Sequence, residues 1–73
     1  MESEERQIKI FTSKFKRSNE TEIQMMILDA LSTYGEKGVD AITELINDGK
    51  DLEKEVQTHG LRRIKDFKNN IKN

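Results

Sequence analysis

Residues 20–34, ETEIQMMILDALSTY, decide the fold, because their apolar residues recur at the spacing of one helical face. The pattern returns thirty-three residues later in residues 53–67, EKEVQTHGLRRIKDF, where four of the fifteen aligned pairs are identical. We interpret the two segments as an internal repeat, in which Leu28 and Leu61 occupy equivalent environments. An alternative stays open, because any two amphipathic helices of similar length share a period of about 3.6 residues. The apolar stripe predicted for the first copy contains Ile23, Met26, Ile27, Ala30, Leu31 and Tyr34.

Another amphipathic helix is predicted before each copy. Residues 4–17 place Ile8, Phe11 and Phe15 on one helical face, although the residues from Ile8 to Ile10 also alternate like a strand. Residues 37–47 have one apolar face and stop before Gly49. The helices of the repeat itself are expected over about residues 20–34 and 52–70.

Polar residues and glycines mark the expected helix ends. Asn19 followed by Glu22 has the form of a capping box, and Asp51 can cap the fourth helix. Gly35 suits the left-handed position after the second helix. Gly60 falls inside the fourth helix, where it costs about 1 kcal/mol relative to alanine. We therefore expect another helix to approach closely at Gly60.

Length and composition restrict the fold to one small domain. Seventy-three residues leave no room for a second domain or for a large cofactor-binding enzyme. The absence of cysteine excludes disulfides and thiolate metal sites. We predict an all-α fold in which four helices form two antiparallel hairpins, at about residues 4–35 and 37–71, stacked on each other.

The repeat resembles the HEAT family of helical repeats. Residues 34–48, YGEKGVDAITELIND, are similar to the linker and first helix of HEAT repeats of the PBS-lyase type. Gln24 and Gln57 stand where that family usually has arginine. The resemblance covers about residues 20–67 and implies HEAT-like stacking of the two hairpins. The positions similar to the second helix of a HEAT repeat are Ile23, Gln24, Ile27, Ala30, Leu31 and Tyr34 in one copy, and Val56, Gln57, Gly60, Ile64 and Phe67 in the other.

The sequence contains few groups that could perform catalysis. His59 is the only histidine, so a metal site would need one imidazole and carboxylates alone. We expect His59 to be partly buried and bonded to a neighbouring helix. Phosphate-binding loops and nucleophile motifs are absent from the sequence. We predict no enzyme activity, no metal and no cofactor, and no small-molecule substrate is evident.

No apolar run approaches the 18 residues that suggest a membrane span, and the first residues are charged. We therefore expect a cytoplasmic protein without a membrane partner.

Basic residues cluster on the fourth predicted helix. Their ordinary interpretation is a solvated face, with cations placed favourably near a helix C-terminus. The functional alternative is a phosphate-binding strip, joined by Lys9, Lys14, Lys16 and Arg17 of the first helix. The residues on this face, opposite Val56 and Phe67, are Arg62, Lys65, Lys68 and Lys72.

Three further residues bear on an interaction surface. Arg63 falls within the apolar stripe of the fourth helix, on a hairpin face that a third repeat would otherwise cover. A protein partner or a second copy is expected to cover that face. Met26 is expected in the core, whereas Met25 is the freer methionine and joins the candidate surface.

The predicted function is a non-catalytic protein–protein interaction module of HEAT-like helical-repeat type. The alternative is a small DNA-binding protein of winged-helix or helix-turn-helix type, with residues 52–70 as its recognition helix, because residues 23–67 also resemble a winged-helix core. Six residues after Phe67 leave no room for a wing, and seven carboxylates in residues 18–48 argue against a broad nucleic-acid surface.

Overall fold

The computed structural model describes the backbone of residues 3–72 and the side chains of residues 3–70. These residues form four helices, α1 (Glu4–Arg17), α2 (Thr21–Ser32), α3 (Glu36–Asp48) and α4 (Lys54–Lys72). The described part of the chain contains no strand. The predicted all-α class is confirmed, and residues 8–10 belong to a helix.

The start of α1 is capped by a side chain, whereas the start of α2 is not. The hydroxyl of Ser3 accepts a hydrogen bond from the amide of Arg6 at 3.3 Å. At α2 the N-cap residue is Glu20, which makes no side-chain cap bond. The predicted capping box of Asn19 is therefore wrong. The Ser18 hydroxyl binds the amide of Glu20 at 3.2 Å, and the helix begins after that turn.

Glycine shapes the turn between α2 and α3. Gly35 has φ of 73° and ψ of −141°, so its positive φ agrees with the prediction, but it serves as the N-cap of α3. A Cβ on Gly38 would overlap the carbonyl oxygen of Leu31. The first turn of α3 therefore packs directly on the backbone of α2.

The loop between α3 and α4 is longer than predicted. The amide of Gly49 donates to the carbonyl of Leu45 at 3.0 Å and ends α3. The amides of Val56 and Gln57 both donate to the carbonyl of Glu53, which places the first turn of α4 after that residue. The prediction that Asp51 caps α4 is wrong, because Asp51 lies outside this turn.

The core lies where α2 and α3 meet the two outer helices. Each of these central helices contacts all three others, whereas the described residues of α1 and α4 do not contact each other. One side of α4 is therefore free of neighbouring helices. The buried apolar residues of the core cluster are Phe15, Ile27, Leu28, Leu31, Ala41, Ile42, Leu45 and Val56.

The buried face of α2 is rotated from the predicted one. Met26 is 68% exposed and Ile23 is 42% exposed, so neither belongs to the core. Met25 instead is partly buried and packs against it. Gln24 is only 8% exposed, because its side-chain amide donates to the carbonyl of Ser18 at 2.9 Å and thereby satisfies its polarity.

Close packing at Gly60 is confirmed. A Cβ on this residue would overlap the end of the Ile46 side chain and lie 3.3 Å from Cδ1 of Leu28. Helices α3 and α2 thus both approach α4 at this point. The prediction of equivalent environments for Leu28 and Leu61 is wrong, since Leu28 is 0% exposed and Leu61 is 55% exposed. Leu61 lies on α4, which has neighbours on one side only.

Candidate interaction surface

A carboxylate on α2 joins two basic residues of α4. Oδ1 of Asp29 lies 2.7 Å from Nε2 of His59 and 2.8 Å from Nε of Arg63. The interpretation of His59 as a partly buried residue bonded to a neighbouring helix is confirmed. Two successive turns of α4 are thereby attached to one point on α2.

Arg63 is turned toward this contact. Its Nε is buried and lies at ion-pair distance from Asp29, although its N–H is not aimed for a hydrogen bond. The charge is therefore balanced within the chain. Asp29 was not among the predicted site residues, although it is the only carboxylate in the second half of α2. An arginine within an apolar stripe needs such a partner on the facing helix.

The other basic residues of α4 point outward. Arg62, Lys65 and Lys68 are exposed, whereas the side chain of Lys72 lies outside the described residues. No ion pair among the described residues engages Lys65 or Lys68. Their side of the helix also carries an apolar residue that sequence analysis left out of the surface. We define the α4 face as Lys54, Leu61, Lys65 and Lys68.

The α4 face combines an exposed apolar side chain with positive charges. Leu61 lies one turn before Lys65 and two turns before Lys68, so the three side chains are neighbours along the helix. The exposed apolar surface of Leu61 can be buried by another protein, while the lysines can form ion pairs with carboxylates. The spacing of Leu61, Lys65 and Lys68 indicates this face in the sequence. The alignment of Leu61 with Leu28 instead suggested that both leucines have the same environment.

A second exposed face lies on α2. Ile23 and Met26 are one turn apart, and exposed Glu22 lies one turn before Met26. We define the α2 face as Glu22, Ile23 and Met26. It combines apolar side chains with negative charge, whereas the α4 face combines an apolar side chain with positive charge.

The structure brings Met25 close to Arg62. Both line a shallow, open hollow between α2 and α4, together with Thr58 and His59. Met25 therefore lies beside the contact with Asp29, away from Lys65 and Lys68. Within residues 3–70 no group of three or more His, Cys, Asp or Glu side chains could hold a metal ion.

The basic residues of α1 do not join those of α4. Lys9, Lys14, Lys16 and Arg17 are all exposed, but α1 contacts only α2 and α3 in the described structure. The exposed side of α3 carries carboxylates at Glu36, Asp40, Glu44 and Asp48. The two basic regions thus belong to helices that the fold keeps apart.

None of the helices in the described region is long and apolar enough to cross a membrane. No protein-family model, curated protein sequence or solved structure shows a significant match to the chain.

Proposed function

We propose that this protein is a non-catalytic protein–protein interaction module built from two HEAT-like helical hairpins. The contacts are compatible with the hairpins, because α1 packs on α2 and α3 packs on α4. The two pairs meet through α1 with α3, α2 with α3 and α2 with α4. Helices α2 and α4 begin at Thr21 and Lys54, in the thirty-three-residue register of the repeat.

One observation carries the proposed function. Leu61 is 55% exposed on a side of α4 that no helix of the described chain covers. Its repeat equivalent, Leu28, is fully buried where α4 packs on α2. Leu61 therefore occupies the position at which a further helix packs in a helical-repeat array. Burying a leucine side chain is worth about 1.5–3 kcal/mol, which makes this position a natural anchor for a partner.

A site-specific crosslink tests the function. A photoreactive amino acid replaces Leu61 in the full chain inside its native cell, and the same group replaces exposed Ser13 of α1 as a matched control. We expect a defined protein adduct from position 61 only. The purified adduct partner should bind the wild-type chain and lose at least tenfold in affinity to the Leu61→Glu variant. Equal adducts from both positions, or none from position 61, would contradict the function.

The exposed cations of α4 favour DNA binding as a second candidate function. Arg62, Lys65 and Lys68 could contact phosphates if residues 52–70 served as a recognition helix. The middle of α4 argues for the first candidate, because His59 and Arg63 engage Asp29 and Gly60 is buried against its neighbours. These are the residues that such a helix would present to bases.

An NMR titration with duplex DNA separates the two candidates. DNA binding would shift the resonances of Arg62, Lys65 and Lys68 at low salt, and the shifts would weaken as salt rises. We expect no saturable shifts at moderate salt. Saturable shifts confined to α4 would favour the DNA-binding function.

A further inference from the structure

The α2 face and the α4 face lie on opposite sides of the contact between their helices. Leu28 of α2 packs on α4, and Ile23 and Met26 lie roughly 140–160° around the helix from it. On α4, His59 and Arg63 contact α2, and Leu61 lies roughly 160° from both. The apolar residues of each face therefore point away from the other helix, whereas Lys54 also lines the hollow between α2 and α4.

The repeat register relates these two faces to each other. At an offset of thirty-three residues, Met26 of α2 is equivalent to His59 of α4, and Leu28 is equivalent to Leu61. His59 lies on the side of α4 that meets α2, and Leu28 lies on the side of α2 that meets α4. The same packing step, taken once more, places the side of an α2 helix that carries Met26 against the side of α4 that carries Leu61. The only α2 helices available for that step are those of other copies of the chain.

The charges on the two faces are complementary. Lys65 and Lys68 follow Leu61 by one and two turns of α4, Lys54 precedes it by two turns, and all three are exposed. Glu22 lies beside Met26, and Glu20 is exposed one turn before Ile23. Stacking the two faces buries apolar side chains of both copies and places lysines near glutamates. Charge complementarity of this kind selects one partner orientation.

We propose that the chain self-associates head to tail, with the α2 face of one copy packed on the α4 face of the next. The proposal rests on the proposed function, because it names the partner that covers Leu61. Such a contact is heterologous, so each added copy presents a new free α4 face. The assembly therefore grows with concentration instead of stopping at a dimer.

Two single substitutions and their mixture test the proposal. Leu61→Glu blocks the α4 face and leaves the α2 face intact, whereas Met26→Glu does the reverse. Both positions are exposed and glutamate is a good helix former, so the variants should keep the fold, which circular dichroism checks. Sedimentation velocity then measures the mass of each species over a range of concentrations, with Ser13→Glu as the matched control.

The expected result has three parts. Wild type and Ser13→Glu grow in mass with concentration, and each face variant alone stays monomeric. An equimolar mixture of the two variants forms a dimer and goes no further, because only one intact pair of faces remains. Sodium chloride at about 1 M weakens this dimer, since it screens the lysine–glutamate contacts.

Three results would overturn the proposal. A wild-type chain that stays monomeric at millimolar concentration overturns self-association, and so does a mixture that stays monomeric. A closed dimer that survives in one face variant also overturns it, because it would be isologous. If copies fail to associate while position 61 still crosslinks to another protein, the interaction function stands and the partner is that protein.

Discussion

Gln24 and Gln57 lie thirty-three residues apart, and each donates its side-chain amide to a backbone carbonyl in the loop before its own helix. The bond from Gln24 reaches Ser18 at 2.9 Å, and the bond from Gln57 reaches Leu52 at 3.0 Å. A shared apolar period does not require this common polar role. The starts of α2 and α4 therefore share a polar feature, although the two acceptors, Ser18 and Leu52, are not in the thirty-three-residue register.

The first prediction concerns these glutamines. Gln24→Glu keeps the side-chain shape but sets a carboxylate against the carbonyl of Ser18, at a position only 8% exposed. We expect a loss of about 2 kcal/mol in the free energy of unfolding, because a buried donor becomes an unpaired charge. Gln57→Glu should lose less, about 1 kcal/mol, since water reaches this half-buried site. Urea denaturation of both variants measures the difference, with Gln7→Glu of α1 as a control.

Gln24→Glu should therefore lower the free energy of unfolding more than Gln57→Glu does. A Gln24→Glu variant as stable as wild type would show that the bond to Ser18 does not hold the loop on α2.

The second prediction contrasts Leu28 with Leu61. Leu28→Ala should cost about 3 kcal/mol, because it removes a fully buried side chain and leaves a cavity. Leu61→Ala should change stability by less than about 0.5 kcal/mol, since Leu61 is mainly exposed. Urea denaturation at low protein concentration keeps any association out of the comparison. Similar losses for both variants would mean that the outer side of α4 is covered within the chain.

Helix positions were predictable because they depend on local chemistry. The apolar period, Gly35 and Gly49 mark segments within a few residues of the observed helices. The capping residues were less predictable, since several polar residues precede α2 and α4 and each can accept a hydrogen bond from a backbone amide. At α2 no side chain caps the helix, and the Ser18 hydroxyl accepts a hydrogen bond from the amide of the N-cap residue, Glu20.

The buried face of α2 could not be read from its pattern. Apolar residues occupy so much of this helix that stripes containing Met25 or Met26 fit almost equally well. The choice depends on Gln24, which is buried only because the carbonyl of Ser18 is within reach. A side-chain hydrogen bond to the preceding loop leaves no periodic signal in the sequence.

The candidate surface was predictable only in part. The outward direction of Arg62, Lys65 and Lys68 follows from helical geometry, whereas the inward direction of Arg63 depends on Asp29. Leu61 was not predicted as a surface residue, because its exposure depends on which helices pack around α4.

The third prediction tests the contact of Asp29 with His59 and Arg63. Asp29→Ala removes both interactions and should cost about 1 kcal/mol relative to Asp40→Ala, a modest value because the groups are half-exposed. Asp40 is an exposed carboxylate of α3 without an ion pair among the described residues, so the comparison cancels the helix preference of alanine. Thermal melts measure both variants. The difference should shrink at about 1 M sodium chloride, and a difference of zero at low salt would show that the contact adds no stability.

The last prediction concerns Gly60 and the side chain of Ile46 above it. Gly60→Ala gains about 1 kcal/mol of helix preference but forces the end of Ile46 out of its place. That displacement costs roughly 0.5–1.5 kcal/mol, so the single substitution should be close to neutral. Ile46→Val removes the overlapping methyl group. In that background Gly60→Ala should be more favourable by about 1 kcal/mol than in the wild type.

A double-mutant cycle by urea denaturation measures this coupling between Gly60 and Ile46. The control cycle pairs Gly60→Ala with Ile8→Val on α1, which does not contact α4 in the described structure, and should give no coupling. Gly60→Leu should be destabilising in every background, because its larger side chain also meets Leu28, whose Cδ1 lies 3.3 Å from a Cβ at this position. Equal effects of Gly60→Ala with and without Ile46→Val would mean that α3 does not approach α4 at this position. Close packing between the helices of the second hairpin would then not explain why residue 60 is a glycine.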